Sequence, residues 1–146
     1  MTSSLLIKGG HVVDPSQAID RIADVLVENG IVTGVENSIS APDGIDIINA
    51  SGFVVCPGFI DLHCHLREPG FEYKETIATG TQAAANGGFT TVCAMPNTSP
   101  VSDTAATINF VRDKAQDEGI IRVLPIGCVT NGSAGKELSA MNELAE

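Results

Sequence analysis

Basic residues are scarce in this 146-residue chain. Eight lysines and arginines stand against eighteen aspartates and glutamates, for a formal net charge of −10. Holding a nucleic-acid backbone or an anionic membrane surface needs clustered cations, so both partner classes are excluded. A small anionic ligand is not excluded, because one well-placed arginine can grip a carboxylate. No apolar run approaches the ~20 residues of a spanning helix. Met1-Thr2-Ser3-Ser4 lacks a basic region leading into a long apolar one, so no signal peptide is expected. Cysteine is limited to Cys56, Cys64, Cys93 and Cys128, with no Cys-x-x-Cys pair. All four are expected to be small, buried, reduced side chains of a cytoplasmic protein. Histidine is scarcer still, at three residues.

What is present suits a folded chain: 43% hydrophobic and 18% charged residues, at a length that allows a real core. Residues 4–50 read as short strands. Ser4–Ile7 is apolar, Gly9-Gly10 breaks it, and His11–Val13 resumes before Asp14-Pro15 turns. Asp24–Glu28 and Ile31–Val35 flank Asn29-Gly30, a strong hairpin signal. Ile45–Ile48 follows a turn at Pro42-Asp43-Gly44. Such spacing suggests a small sheet or half of a sandwich. His11 is expected to be an ordinary strand-end histidine.

After a join at Ser51–Gly58 the pattern changes. Phe59–His65 reads as a strand. Tyr73–Asn86 reads as a helix, with Ile77, Thr81, Ala84 and Ala85 on one face and Gly87-Gly88 as its stop. Phe89–Met95 suits a buried parallel strand. Ser102 or Asp103 can cap a second helix carrying Ala105, Ile108, Val111 and Ala115 inward. Ile121–Val129 is a third strand, and Lys136–Glu146 begins another helix. This alternation implies an α/β fold with a parallel sheet, either doubly wound or closed as a (β/α)8 barrel.

Two of the three histidines lie in Gly58-Phe59-Ile60-Asp61-Leu62-His63-Cys64-His65-Leu66-Arg67-Glu68-Pro69-Gly70. On a strand, residues i and i+2 share a face, so His63 and His65 project together, with Asp61 beside them if the strand is regular. Two imidazoles at a strand end suit a divalent metal such as zinc. Local hydrogen bonding is the plainer alternative. Asp61 can orient a histidine or cap the strand end. Glu68, Glu72 and Glu75 occupy loop and helix-start positions that suit glutamate for ordinary electrostatic reasons.

The stretch, with Phe71–Thr76, Gly87-Gly88-Phe89-Thr90-Thr91 and Met95-Pro96-Asn97-Thr98, resembles the amidohydrolase superfamily and, within it, the long-chain dihydroorotase family. The Arg67-Glu68-Pro69-Gly70 run carries the narrower likeness. The resemblance implies a metal-dependent hydrolase on a TIM barrel, preceded by strands of a small β-sandwich, with domains at 1–55 and 56–146. It implies reversible, zinc-dependent opening of the cyclic amide of dihydroorotate to carbamoyl aspartate, a step of pyrimidine biosynthesis. His63 and His65 would hold one or two zinc ions. Arg67, on the same alternation as the histidines if the strand persists, would bind the substrate carboxylate together with Asn97. A full barrel needs about 250 residues, and 56–146 holds only about three βα units. An N-terminal portion of a longer enzyme is therefore expected, with catalytic residues beyond Glu146 and the isolated chain inactive. Three alternatives remain: another cyclic-amide hydrolase of the allantoinase or hydantoinase type, a non-catalytic partner of aspartate transcarbamoylase, or a stand-alone metal-binding α/β domain. A homodimer is compatible with each.

Overall fold

The structure, a computed structural model, describes residues 4–145. Most of the expected signal-peptide-free opening, Met1–Ser3, and the last residue of the expected final helix lie outside these. The chain divides into two compact units, 1–57 and 58–146.

The first unit is a five-stranded sheet in the order β3-β2-β1-β4, with β5 also on β1. Its strands are β1 (Leu5–Asp14), β2 (Ile19–Glu28), β3 (Ile31–Glu36), β4 (Asp46–Asn49) and β5 (Val54–Val55). The Asn29-Gly30 hairpin is present, with both residues at positive φ. Gly9-Gly10 was expected to break the first strand. The strand instead runs through them with a register shift between Ile7 and Gly10. Gly9 takes a φ of +68° and donates its N–H to Asp24. Gly10 lies so close to Val55 that a Cβ would fall 2.5 Å from it. The glycines bend the strand around a buried carboxylate rather than ending it. Val12, Ala23 and Val25 form the apolar face. His11 is on β1, with Nε2 2.6 Å from Asp20 Oδ1.

The second unit is a parallel sheet in the order β6-β7-β8: β6 (Phe59–Cys64), β7 (Phe89–Ala94) and β8 (Arg122–Pro125). Helices α1 (Ile77–Asn86) and α2 (Ala105–Glu118) fill the crossovers. Leu66, Ile77, Val92, Ala94, Val111, Ala115 and Val123 form the core. α1 starts at Ile77, where its apolar period begins, and not at the expected Tyr73, because Thr76 and Thr79 close a capping box at residue 76. α2 is capped by Thr104, not by Ser102 or Asp103. Ser102 is buried beside Thr98, and Asp103 accepts from Gly132 N. The third strand is four residues long, and Lys136–Glu146 yields only the short α3 (Met141–Leu144). Thr130 instead bridges Leu138 in antiparallel fashion, which uses backbone groups a helix would have needed.

β6 is an edge strand with its apolar residues uncovered: Phe59, Ile60 and Leu62 are all more than half exposed. Of the cysteines only Cys128 is buried. Cys64 and Cys93 are half-buried, and Cys56 is exposed just after β5, where the chain leaves the sheet. Among the described residues no helix is long and apolar enough to cross a membrane.

Candidate functional site

The site lies at the carboxyl ends of β6 and β7, where parallel α/β sheets collect their polar side chains. β6 ends at Cys64, whose carbonyl accepts from Met95 N at 2.8 Å. This bond holds the two outgoing loops side by side.

His63 and His65 do project together. Their rings are 5.1 Å apart, centroid to centroid, and meet edge to face. Asp61 accepts from the backbone N–H of His63 at 2.9 Å, so the contact the structure shows for it is a local one to the strand backbone. Cys64, between the histidines, packs towards the core. Burial, with Asp61 and then Glu75 adding negative charge, pushes its thiol pKa up.

Asn97, three residues past β7, places Oδ1 2.9 Å from Nδ1 of His65. An amide oxygen only accepts, so Nδ1 is the donor in this pair and Nε2 is the ring nitrogen left to meet a ligand. No described residue hydrogen-bonds the His63 ring. Two imidazoles set side by side are a donor set that fits zinc or a similar divalent ion. They form a pair rather than a closed shell, since no group of three or more His, Cys, Asp or Glu suited to a metal occurs among the described residues.

Arg67 departs from the expected alternation. The strand stops at Cys64, and Arg67 takes φ +64°, a left-handed conformation that costs a non-glycine residue roughly 1–3 kcal/mol. Its direction is therefore set by the loop and not by the period of β6. Arg67 is half-buried, and no described carboxylate pairs with its guanidinium. With Glu68, Met95, Thr98 and Ser102 it borders a narrow crevice between the two loops. Gly70 fits because it lacks a side chain: at φ +94° an added Cβ would lie 2.2 Å from the Ser99 carbonyl oxygen. Ser99 N in turn donates to Pro69 O at 2.9 Å.

Glu68, whose position suits glutamate for ordinary electrostatic reasons, is buried at the centre of this loop. Its Oε2 accepts from Ile77 N, at the start of α1. The helix-start reading of glutamate is right in kind. Its burial had no signal, because Glu68 lies nine residues before the helix it caps.

Parallel βαβ units with imidazole, amide and guanidinium groups at adjacent strand ends define an α/β protein whose site is built on strand-end loops. The chain belongs to the dihydro-orotase-like family, whose profile matches residues 52–146. It is 53% identical over 143 residues to the dihydroorotase of Citrifermentans bemidjiense and 52% identical over 143 to that of Geobacter sulfurreducens. Each match covers 98% of this chain and 34% of the relative, so the chain spans about a third of their length. Among solved structures it resembles dihydropyrimidinase from Brevibacillus agri, at TM-score 0.74 and 30% identity, covering 87% of this chain and 27% of that one. L-hydantoinase from Arthrobacter aurescens shares the fold at TM-score 0.79 and 24% identity, over 89% of this chain and 28% of that one.

Proposed function

We propose that this chain supplies the first part of a dihydroorotase, an enzyme that opens and closes the cyclic amide of dihydroorotate. The observation that carries the reading is the hydrogen bond from His65 to Asn97. It sets an imidazole able to ligate a metal beside an amide able to donate to a carboxylate. Identity above 50% to proteins named dihydroorotase supports the same substrate. In this reading residues 1–55 are strands of a β-sandwich, and 56–146 are the opening βα units of a (β/α)8 barrel. The protein acts in the cytoplasm, in pyrimidine biosynthesis.

His63 and His65 would hold zinc, which when bound lowers the pKa of its water to about 7 and polarises a carbonyl. Arg67 grips the substrate carboxylate with its planar fork, and the Asn97 NH2 donates to the same group. Both grips are made to a part of the substrate that does not react. They orient the ring amide and contribute chiefly to binding. A hydantoin or allantoin ring has no equivalent carboxylate, so Arg67 favours dihydroorotate over the substrates of the structural neighbours.

The test uses the natural full-length product that contains residues 1–146. Arg67→Ala is expected to raise KM for dihydroorotate about 100-fold, as loss of two charge-assisted hydrogen bonds implies. Turnover of hydantoin should not change. An unaltered KM for dihydroorotate, or a wild-type preference for hydantoin, would overturn the reading.

A further inference from the structure

Arg67 holds a left-handed backbone that nothing in its own side chain favours, so its neighbours must impose it. Leu66, before it, is buried in the core at 2% exposure. Glu68, after it, is 6% exposed and held from two sides. Oε2 accepts the Ile77 N–H of α1 at 2.9 Å, and Oε1 lies 3.6 Å from Lys114 Nζ of α2. A carboxylate is buried at a cost unless it is paired and hydrogen-bonded, and here both conditions are met. The loop closes on itself as well: Phe71 N donates to Arg67 O at 3.0 Å.

We propose that Glu68 is a positioning residue for substrate recognition. By fastening the peptide after Arg67 to α1 and α2, it fixes the direction from which the guanidinium meets the substrate carboxylate. The inference rests on the reading of Arg67 as the carboxylate-binding residue. A bidentate grip depends on angle as much as on distance, so a small loss of alignment forfeits it. The carboxylate is held alike in ground and transition state. Loss of alignment therefore raises KM and leaves kcat unchanged. A purely structural role behaves differently, because it reduces the folded fraction and hence apparent kcat, with KM unaltered.

The test measures KM and kcat for dihydroorotate in the natural full-length product, with Glu68→Ala, Glu68→Gln, Arg67→Ala and the paired variants. Glu68→Ala is expected to raise KM about tenfold or more with kcat within about twofold. Glu68→Gln keeps an acceptor for Ile77 and loses the charge facing Lys114, so a rise of about threefold is expected. In the Arg67→Ala background neither should add more than about twofold, since the group being aligned is gone. An unchanged KM in both Glu68 variants, a fall in kcat alone, or an equal rise without Arg67 would each overturn the proposal. If Glu68→Ala does not fold, Glu68→Gln is judged alone by the same criteria. A KM effect of Arg67→Ala without any from Glu68 sinks this inference and spares the functional reading. A wild-type protein that does not turn over dihydroorotate sinks both.

Discussion

Nδ1 of His65 lies 2.9 Å from Oδ1 of Asn97, so the residue just after β6 is tied to the loop after β7. The bond engages Nδ1 and leaves Nε2 on the far side of the ring from Asn97. Partners of this kind hold a ligating ring in position, and their loss typically weakens metal affinity about 10–100-fold. Asn97→Ala in the full-length product should do so in a calorimetric zinc titration. Unchanged affinity would mean that the amide has no part in preparing His65.

Ser99 N–H and Pro69 O make the second tie between the same loops, with Gly70 against the Ser99 carbonyl. Gly70→Ala sets a methyl group against the Ser99 carbonyl at a backbone angle that disfavours any side chain. It should destabilise the protein by more than about 1 kcal/mol, read as a lower urea midpoint. Stability equal to wild type would show that the loops separate at little cost.

Asp24 governs the acid stability of the first unit. It is buried, and the backbone N–H of Ile39, the Lys8 ammonium and the backbone N–H of Gly9 hold its pKa down to about 2 from 3.8. A depressed carboxylate stabilises the fold above its unfolded pKa and loses that contribution as pH falls through the folded value. Asp24→Asn should therefore cost about 2 kcal/mol at pH 7, and the gap from wild type should close between pH 4 and pH 2. Thermal melts of both proteins across that range check it. A gap independent of pH would contradict the assignment.

Cys64 and Cys56 should differ in reactivity. Cys64 is half-buried, and its pKa is raised by burial and two nearby carboxylates, so it remains a thiol at neutral pH. Cys56 is exposed. Timed alkylation at pH 7 with mass mapping should label Cys56 first, and faster labelling of Cys64 would refute the burial argument.

Residues 1–146 alone should have little or no hydrolase activity. A catalytic zinc site needs three protein ligands, and the described residues offer two imidazoles at the strand end. Zinc-dependent opening of dihydroorotate by the purified piece would count against this.

Much of this was legible in the sequence because it depends on local rules. Alternation on β6 brought His63 and His65 together, the Asn29-Gly30 pair made the hairpin, and apolar periods located α1 and α2. Boundaries were less legible where a side chain competed for backbone groups. Thr76 delayed α1, Thr104 displaced the expected cap of α2, and the Thr130–Leu138 bridge removed most of the final helix. The sequence by itself determined the strand-helix alternation and the residue types at the strand ends. Only the tertiary structure decided how they are aimed. Asn97 reaches His65 across 32 positions of sequence, and Arg67 is turned left-handed by a loop anchored at Ile77, Ser99 and Lys114. Periodicity describes one element at a time, whereas these contacts exist only after two strands pair and two helices pack behind them.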